Sequence, residues 1–181
     1  RSRNYLQISN KLFIFHNSKS ENKLGYFKTE LLKPISPLYF NDKTRISALT
    51  SLCAILNTLL PEAQPNKNIY QSFEDFINSI GEENWIFLYI FFELSLIKDF
   101  GYDPNLEKFV DKNFLSTEIT KIKIDNFIYD VPSFLILRKI PDISSNTLIK
   151  KSLYFTRNVI QNKFFIPNNV PFPKSRIILE N

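Results

Sequence analysis

The sequence predicts an α+β chain that begins with a short β-hairpin and continues as a mainly helical domain. Three observations support this class. Residues 5–16 alternate between apolar and polar side chains as a strand does, residues 41–100 carry apolar side chains at helical spacing, and the change falls near residue 38. The chain has 181 residues, 44% of them hydrophobic, which is enough for one sizeable core or for a core with a small satellite domain.

The hairpin is predicted within residues 1–38. In YLQISNKLFIFH, one face of the first strand collects four apolar side chains: Leu6, Ile8, Leu12 and Ile14. The polar turn NSKSEN leads to a second strand in KLGYFKTELL. Because two strands alone are marginal in water, we expect this piece to be the end of a larger sheet or barrel.

The other face of the first strand carries Phe13 and Phe15 together with Lys11. Aromatic side chains beside lysines on a strand can stack nucleic-acid bases. A hairpin that is covered by protein on both faces would account for the same residues, and both interpretations are open.

Three helices are predicted next. The first begins at a cap-type residue, Asn41 or Asp42, and Pro61 closes it. Its apolar stripe consists of Ile46, Leu49, Leu52, Cys53, Leu56 and Leu60. The second lies in PNKNIYQSFEDFINSIG and stops at Gly81. Its inward positions are Ile69, Tyr70, Phe73, Phe76, Ile77 and Ile80.

The third helix, over residues 82–100, is the most apolar part of the chain. Its uninterrupted apolar run extends only from Trp85 to Phe92, whereas a membrane-spanning helix needs about 20 largely apolar residues. We therefore interpret it as a buried core helix. Glu93, in its middle, needs a hydrogen-bond partner if it is buried.

The sequence gives no positive case for an enzyme. It contains no Cys–His pair, no suggestive pair of carboxylates, no glycine-rich phosphate loop and no cluster of metal ligands. Cys53, the single cysteine, rules out an intramolecular disulfide and fits a reducing, cytoplasmic setting. The chain begins at Arg1, lacks methionine and opens on no secretory leader, so it can also be interpreted as a fragment of a longer protein.

The net charge of +5 is unevenly distributed along the chain. Residues 1–40 carry +5, residues 41–105 carry −5 and residues 106–181 carry +5. Basic ends around an acidic middle suggest a polyanionic partner. Ordinary solubilising charge is the alternative, and it stays open.

Several motifs in the helical part resemble RecO, a family of bacterial recombination mediators. They are LTSLCAILNTLLPEAQPNKNIYQSFEDFINSI, then FFELSLIKDFGYDPNLEKF, VPSFLI and SLYFTRNVIQNKFFIPNNVPFPKSRIIL. The matching positions are Leu60, Pro61, Glu62, Asn66, Tyr70, Phe92, Glu93, Leu94, Gly101, Tyr102, Leu106, Pro173 and Arg176. The resemblance extends over most of residues 24–179.

The resemblance implies a domain organisation. RecO proteins have an N-terminal OB-type barrel, a helical domain and often a zinc-binding insertion. Residues 1–38 would then be the last strands of an incomplete OB-fold, and residues 39–181 the helical domain, with a degenerate zinc-knuckle region at about 103–130. Phe109 and Lys112 stand where cysteines would be, so we expect no zinc and no other cofactor. Packing by Phe109, Phe114 and Ile119 would replace the metal.

The resemblance also implies a function without covalent chemistry. RecO proteins of the RecF pathway bind single- and double-stranded DNA, promote annealing, contact the acidic, aromatic-ended tail of single-strand-binding protein, and with RecR help load RecA. Such a protein would be cytoplasmic, associated with the nucleoid and not with a membrane. The candidate phosphate contacts are Arg3, Lys11, Lys19, Lys23, Lys28, Lys150, Lys151, Arg157 and Lys163. A helical adaptor without DNA binding, and a nonfunctional fragment of a decayed gene, are the alternatives.

Overall fold

The computed structural model describes residues 5–18, 20, 24–109 and 118–180, which fall into two compact units. The first unit comprises the described residues up to Leu60 together with Pro173–Leu179, and the second comprises Pro61–Phe172 with Glu180. Helices and strands are both present, so the α+β class is confirmed. The described residues form two separate two-stranded sheets and no closed barrel, and the OB-type remnant stays a prediction.

The hairpin of the first unit consists of β1 (Lys11–Asn17) and β2 (Tyr26–Lys33), which pair antiparallel. The first strand starts later than predicted, so Leu6 and Ile8 precede it and do not share a strand face with Leu12. The cause is local. Ser9 has a φ of 67°, and the Asn10 side chain donates to the Tyr5 carbonyl (3.0 Å) and accepts from the Ile35 amide (2.8 Å). Such side-chain bonds to the backbone compete with a strand ladder.

Helix α1 (Lys43–Leu59) confirms the first predicted helix. Asp42 is its N-cap and accepts a hydrogen bond from the Arg45 amide at 2.9 Å. Four apolar side chains of α1 are buried: Ala48, Leu49, Leu52 and Ile55. The short helix α6 (Lys174–Ile178) packs against α1 within the same unit and contains the fully buried Arg176.

The second unit is built on α2 (Lys67–Ser79) and α3 (Trp85–Asp99). Phe76 of α2 packs its ring against Tyr89 and Phe92 of α3, with centroids 5.8 and 6.0 Å apart. The predicted inward position of Tyr70 is wrong, because its side chain is 58% exposed. It lies about 100° around the helix from the buried Ile69, beyond the stripe that faces α3.

The prediction of a buried third helix is confirmed, since α3 includes the fully buried Tyr89, Ile90, Glu93 and Ile97. Of the helices that the structure describes, none combines the length and apolar character that a membrane crossing requires.

The rest of the second unit follows α3. A 3₁₀ turn at Leu106–Phe109 comes before β3 (Ile119–Ile124), which pairs antiparallel with β4 (Phe127–Pro132). Helix α4 (Ser133–Leu137), helix α5 (Asn146–Ile160) and a π-helical turn (Gln161–Phe165) complete it. Helix α5 packs on α3 and on β4.

Two sequence-based assignments remain predictions after this description. The expected domain boundary at residue 38 lies where strand gives way to helix, between β2 and α1, while the compact units divide after Leu60. In the degenerate zinc-knuckle region, Phe109 and Ile119 are half-buried, and Lys112 and Phe114 lie outside the described residues.

Candidate nucleic-acid interface

The nine predicted phosphate contacts divide into three sets in the structure. Arg3, Lys19 and Lys23 lie outside the described residues. Lys11 and Lys28 belong to the hairpin. The remaining four lie on α5 and the π-helical turn that continues it: Lys150, Lys151, Arg157 and Lys163.

On the hairpin, the register places Lys28 beside the exposed aromatic face. Lys28 is the cross-strand partner of Phe15, and Phe13 is the partner of Glu30. The rings of Phe13 and Phe15 have centroids 6.5 Å apart, and the two side chains are 51% and 55% exposed. Lys11 is half-buried at the start of β1. Accessible aromatic rings with a neighbouring cation have the chemistry that base stacking uses, and Lys28 supplies that cation.

On α5, the two adjacent lysines differ in their surroundings. The Lys151 ammonium is 2.5 Å from Oδ2 of Asp130 on β4, and this hydrogen bond holds the pKa of Asp130 below its ordinary value. Lys150 is exposed and has no ion-pair partner in the part of the chain that the structure describes. Of the two, Lys150 is the one available to a phosphate without breaking an ion pair.

The other two cations of this set are also paired. Arg157 donates from Nε to Oε1 of Glu180 at 2.7 Å, and its guanidinium lies over the Tyr154 ring at 5.1 Å. Its side chain and that of Glu180 are 20% and 16% exposed, so this pair is shielded from solvent. Replacing Arg157 would therefore remove an internal interaction as well as a surface charge.

Lys163 forms a cluster with Asp125 and Tyr102. Its ammonium pairs with Asp125 and lies 4.2 Å from the centroid of the Tyr102 ring, and the Tyr102 hydroxyl donates to Asp125 at 2.9 Å. Hydrogen bonds from Lys163 and then from Tyr102 lower the pKa of Asp125. Burial and the hydrogen bond to Asp125 raise the pKa of Tyr102. Tyr102 directly follows Gly101, where α3 ends, and Asp125 lies in the turn between β3 and β4. The cluster therefore connects the C-terminal end of α3 to that turn.

Two lysines that the sequence analysis did not single out lie on β3. Lys121 and Lys123 are both exposed, while Ile122 between them is buried. The alternating stretch ITKIKI (residues 119–124) is the signal that could have found them, because strand periodicity puts both lysines on one face.

Glu93, one of the positions that match the RecO motifs, is fully buried, and its carboxyl group accepts hydrogen bonds from two side chains. The Tyr89 hydroxyl donates to Oε1 at 2.9 Å, and the Thr156 hydroxyl donates to Oε2 at 2.5 Å. Each side-chain oxygen of Glu93 thus accepts a hydrogen bond from a hydroxyl group. The Thr156 contact joins α3 to α5, so Glu93 is a structural residue that fixes the helix bearing the basic side chains.

A cavity of about 250 Å³ opens beside the C-terminal half of α3. Phe91, Leu94 and Leu135 give it an apolar lining, and Lys98 and Arg138 are the two cations that border it. Arg138 caps α4 with a left-handed φ of 52°, a conformation that non-glycine residues adopt at a cost.

The two cations at this cavity each have an acidic neighbour. Lys98 is 3.0 Å from Asp103, and Arg138 is 3.1 Å from Glu107. All four side chains are more than a third exposed. Exposed pairs of this kind contribute little to stability, so a ligand carboxylate could compete for either cation.

Comparison with known proteins connects this structure to one family. The model of the family described as recombination protein O C terminal matches residues 41–121. A DNA repair protein RecO of Wolbachia sp. subsp. Drosophila simulans is 34% identical over 104 residues, which are 56% of this chain and 43% of that protein. Residues 41–121 match the RecO family. The resemblance stated from the sequence motifs is thereby confirmed.

Other RecO proteins match over a region of the same size. That of Anaplasma marginale (strain Florida) is 31% identical over 104 residues, covering 57% of this chain and 44% of the relative. That of Ehrlichia chaffeensis is 32% identical over 105 residues, covering 57% and 43%. The matched part of the chain thus spans less than half the length of these relatives. No solved structure gives a significant match to the chain.

The RecO match includes three helices of the fold but leaves out most of the candidate DNA-contacting cations. It contains all of α1, α2 and α3, including Glu93 and Tyr102, and it ends at Lys121 on β3. The hairpin and the cations of α5 lie outside it. The match therefore covers α1, α2 and α3, and the DNA contacts need their own arguments.

Proposed function

We propose that this chain takes part in DNA repair and recombination as a RecO-type mediator of the RecF pathway. In that role it binds single- and double-stranded DNA, promotes annealing and, with RecR, helps load RecA, without covalent chemistry. The observation that carries the proposal is the RecO match over residues 41–121, which contains α1, α2 and α3. The setting for this role is the cytoplasm, on nucleoid DNA.

The proposed DNA contact is made by cations that are accessible in the folded chain. On the hairpin, Lys28 with Phe13 and Phe15 offers an ammonium group and two rings to a single strand. On α5, Lys150 offers an exposed ammonium group. Contacts of this kind position phosphates and read no sequence, so binding is expected to tolerate any DNA sequence.

The proposed protein contact is the acidic, aromatic-ended tail of single-strand-binding protein. The cavity beside α3 supports it, because an apolar lining suits an aromatic side chain and the bordering Lys98 and Arg138 suit carboxylates. RecR is proposed as the second protein partner on the strength of the family relationship alone.

The DNA proposal is tested by fluorescence anisotropy of labelled single- and double-stranded oligonucleotides at low and at moderate salt. We expect binding to both, weakening as salt rises because neutralised phosphates release counterions. Lys150→Glu should weaken binding to all sequences alike and leave the thermal midpoint unchanged. Its control, Lys67→Glu, changes the net charge equally at the start of α2. No binding by the parent chain at low salt would refute the DNA contact.

A helical adaptor without DNA binding is the second candidate. It is favoured by a specific observation: Lys151, Arg157 and Lys163 are all paired with carboxylates of the chain itself. One experiment distinguishes the two candidate functions: binding of the chain to DNA and to an acidic peptide that ends in Phe is measured side by side. A mediator binds both peptide and DNA, whereas an adaptor binds the peptide alone, and Arg138→Glu should weaken the peptide complex in either case.

A further inference from the structure

We propose that the outer face of the β3–β4 hairpin is a DNA phosphate-binding surface, with Lys121 and Lys123 as its main contacts. This inference rests on the proposed DNA binding and assigns it to a surface that neither the family match nor the sequence motifs single out. We call the surface the β3 lysine face; it consists of Lys121, Lys123, Ile128, Asp130 and Lys151.

The alternation of the two strands creates this face. Thr120, Ile122 and Ile124 of β3 are buried, so the lysines between them point away from the core. In the antiparallel register, Lys121 is opposite Asp130 and Lys123 is opposite Ile128. Ile128 is 70% exposed, so the face is open to a partner.

The charge of the face is positive because three ammonium groups share one carboxylate. Lys151 reaches Asp130 from α5 at 2.5 Å. Lys121 lies near enough to help lower the pKa of Asp130, although the hydrogen bond from Lys151 is the largest cause. Among the described residues, no ion pair engages Lys123. The cations of the β3 lysine face therefore outnumber its one carboxylate, in contrast to the balanced pairs of Arg157 and Lys163.

The spacing suits a nucleic-acid strand. Residues i and i+2 of a strand are about 6.6 Å apart along its axis. Phosphates on one strand of B-DNA rise about 3.4 Å per nucleotide along the helix axis and also rotate around it, so neighbouring phosphates are further apart in space than this rise. Two long, flexible lysine side chains at this interval can reach neighbouring phosphates of one strand, and the exposed Ile128 lies opposite Lys123 on the same face.

The test compares salt-dependent DNA binding of the parent chain, K121Q/K123Q and the charge-matched control K43Q/K67Q, by anisotropy between 50 and 200 mM salt. Each phosphate contact contributes about 0.7 to 0.9 to the slope of log affinity against log salt. We expect K121Q/K123Q to lower that slope by about 1.4 to 1.8, and affinity at 50 mM salt to fall about tenfold or more. The control should retain the parent slope. Circular dichroism checks that the hairpin stays folded.

A second variant tests the same face in the opposite direction. Asp130→Asn keeps the size of the side chain, removes the single carboxylate and releases Lys151, so DNA affinity should rise and the slope should steepen by about 0.7 to 0.9. A purely structural role for these residues would not increase affinity.

The outcomes are distinguishable. DNA binding by the parent with unchanged slopes in K121Q/K123Q and D130N overturns this inference and leaves the proposed function standing. An equal loss in K43Q/K67Q also overturns it, because binding would then follow net charge alone. Absence of DNA binding by the parent overturns the proposed DNA contact and this inference with it.

Discussion

Removing the Tyr89 hydroxyl should destabilise the second unit, because it takes a hydrogen-bond donor away from a buried acceptor. Tyr89 is fully buried, and its hydroxyl donates to Oε1 of the equally buried Glu93 at 2.9 Å. In Tyr89→Phe the ring and its packing against Phe76 are kept, while one donor to the carboxylate is lost. Leaving a buried acceptor without its donor costs about 1–3 kcal/mol, so the free energy of unfolding should fall by that amount.

Urea unfolding followed by far-UV circular dichroism measures this loss, read at an unchanged m value. Tyr70→Phe is the matched control, because the Tyr70 side chain is 58% exposed and its change should stay within about 0.5 kcal/mol. Thr156→Val removes the donor to Oε2 and should cost a similar amount. A Tyr89→Phe variant as stable as the Tyr70→Phe control would refute the reasoning that Glu93 depends on these donors.

Three further outcomes are expected. Phe92→Ala should cost about 3–5 kcal/mol in thermal or urea unfolding, because it empties a buried aromatic position; a loss under 1 kcal/mol would contradict a central role for α3. The dialysed chain should contain far less than one zinc per molecule by elemental analysis, because residues 101–181 contain no cysteine or histidine and a zinc site needs about four such ligands. Asp42→Ala should cost about 0.5–2 kcal/mol through loss of the α1 cap.

The stabilisation that the Asp42 cap contributes to α1 should decrease as the pH is lowered. Burial raises the pKa of Asp42, but hydrogen bonds from the amide and side chain of Arg45 outweigh it, and the pKa lies below 3.8. The folded state therefore favours the ionised form, and this contribution is present above pH 3.8 and lost as the pH falls through the lowered pKa. The gap in stability between the parent and Asp42→Ala should narrow over that range, and an unchanged gap would contradict the assignment.

Strongly periodic segments were predictable from the sequence, because local pattern and burial agree there. The Asp42 cap and the Pro61 stop bracket α1 as the spacing indicated, and the apolar run from Trp85 became the buried helix α3. The strand prediction was wrong over residues 5–10. There, the left-handed backbone of Ser9 and the side-chain hydrogen bonds of Asn10 prevent a strand, although apolar and polar side chains alternate in the sequence. Turn chemistry that involves one side chain leaves no periodic signal.

The ion pairs of the candidate interface could not be predicted from the sequence. Lys151 pairs with Asp130, which is 21 positions away, and Lys163 pairs with Asp125, which is 38 positions away. Charge counted along the chain treats all these residues alike. The carboxylates that neutralise the cations of α5 come from other segments of the chain, so only the folded structure separates paired cations from accessible ones.

This separation changes which residues should govern DNA affinity. A triple replacement of Lys150, Lys151 and Arg157 would break the shielded contact of Arg157 with Glu180, so a loss of binding could arise from disturbed packing. Lys150→Glu and K121Q/K123Q leave every ion pair described above intact, and a change in their salt slope therefore reports phosphate contacts. If the single and double variants alter the slope and Arg157→Gln alters only stability, DNA binding depends on the accessible cations of α5 and β3 rather than on the total charge of the C-terminal region.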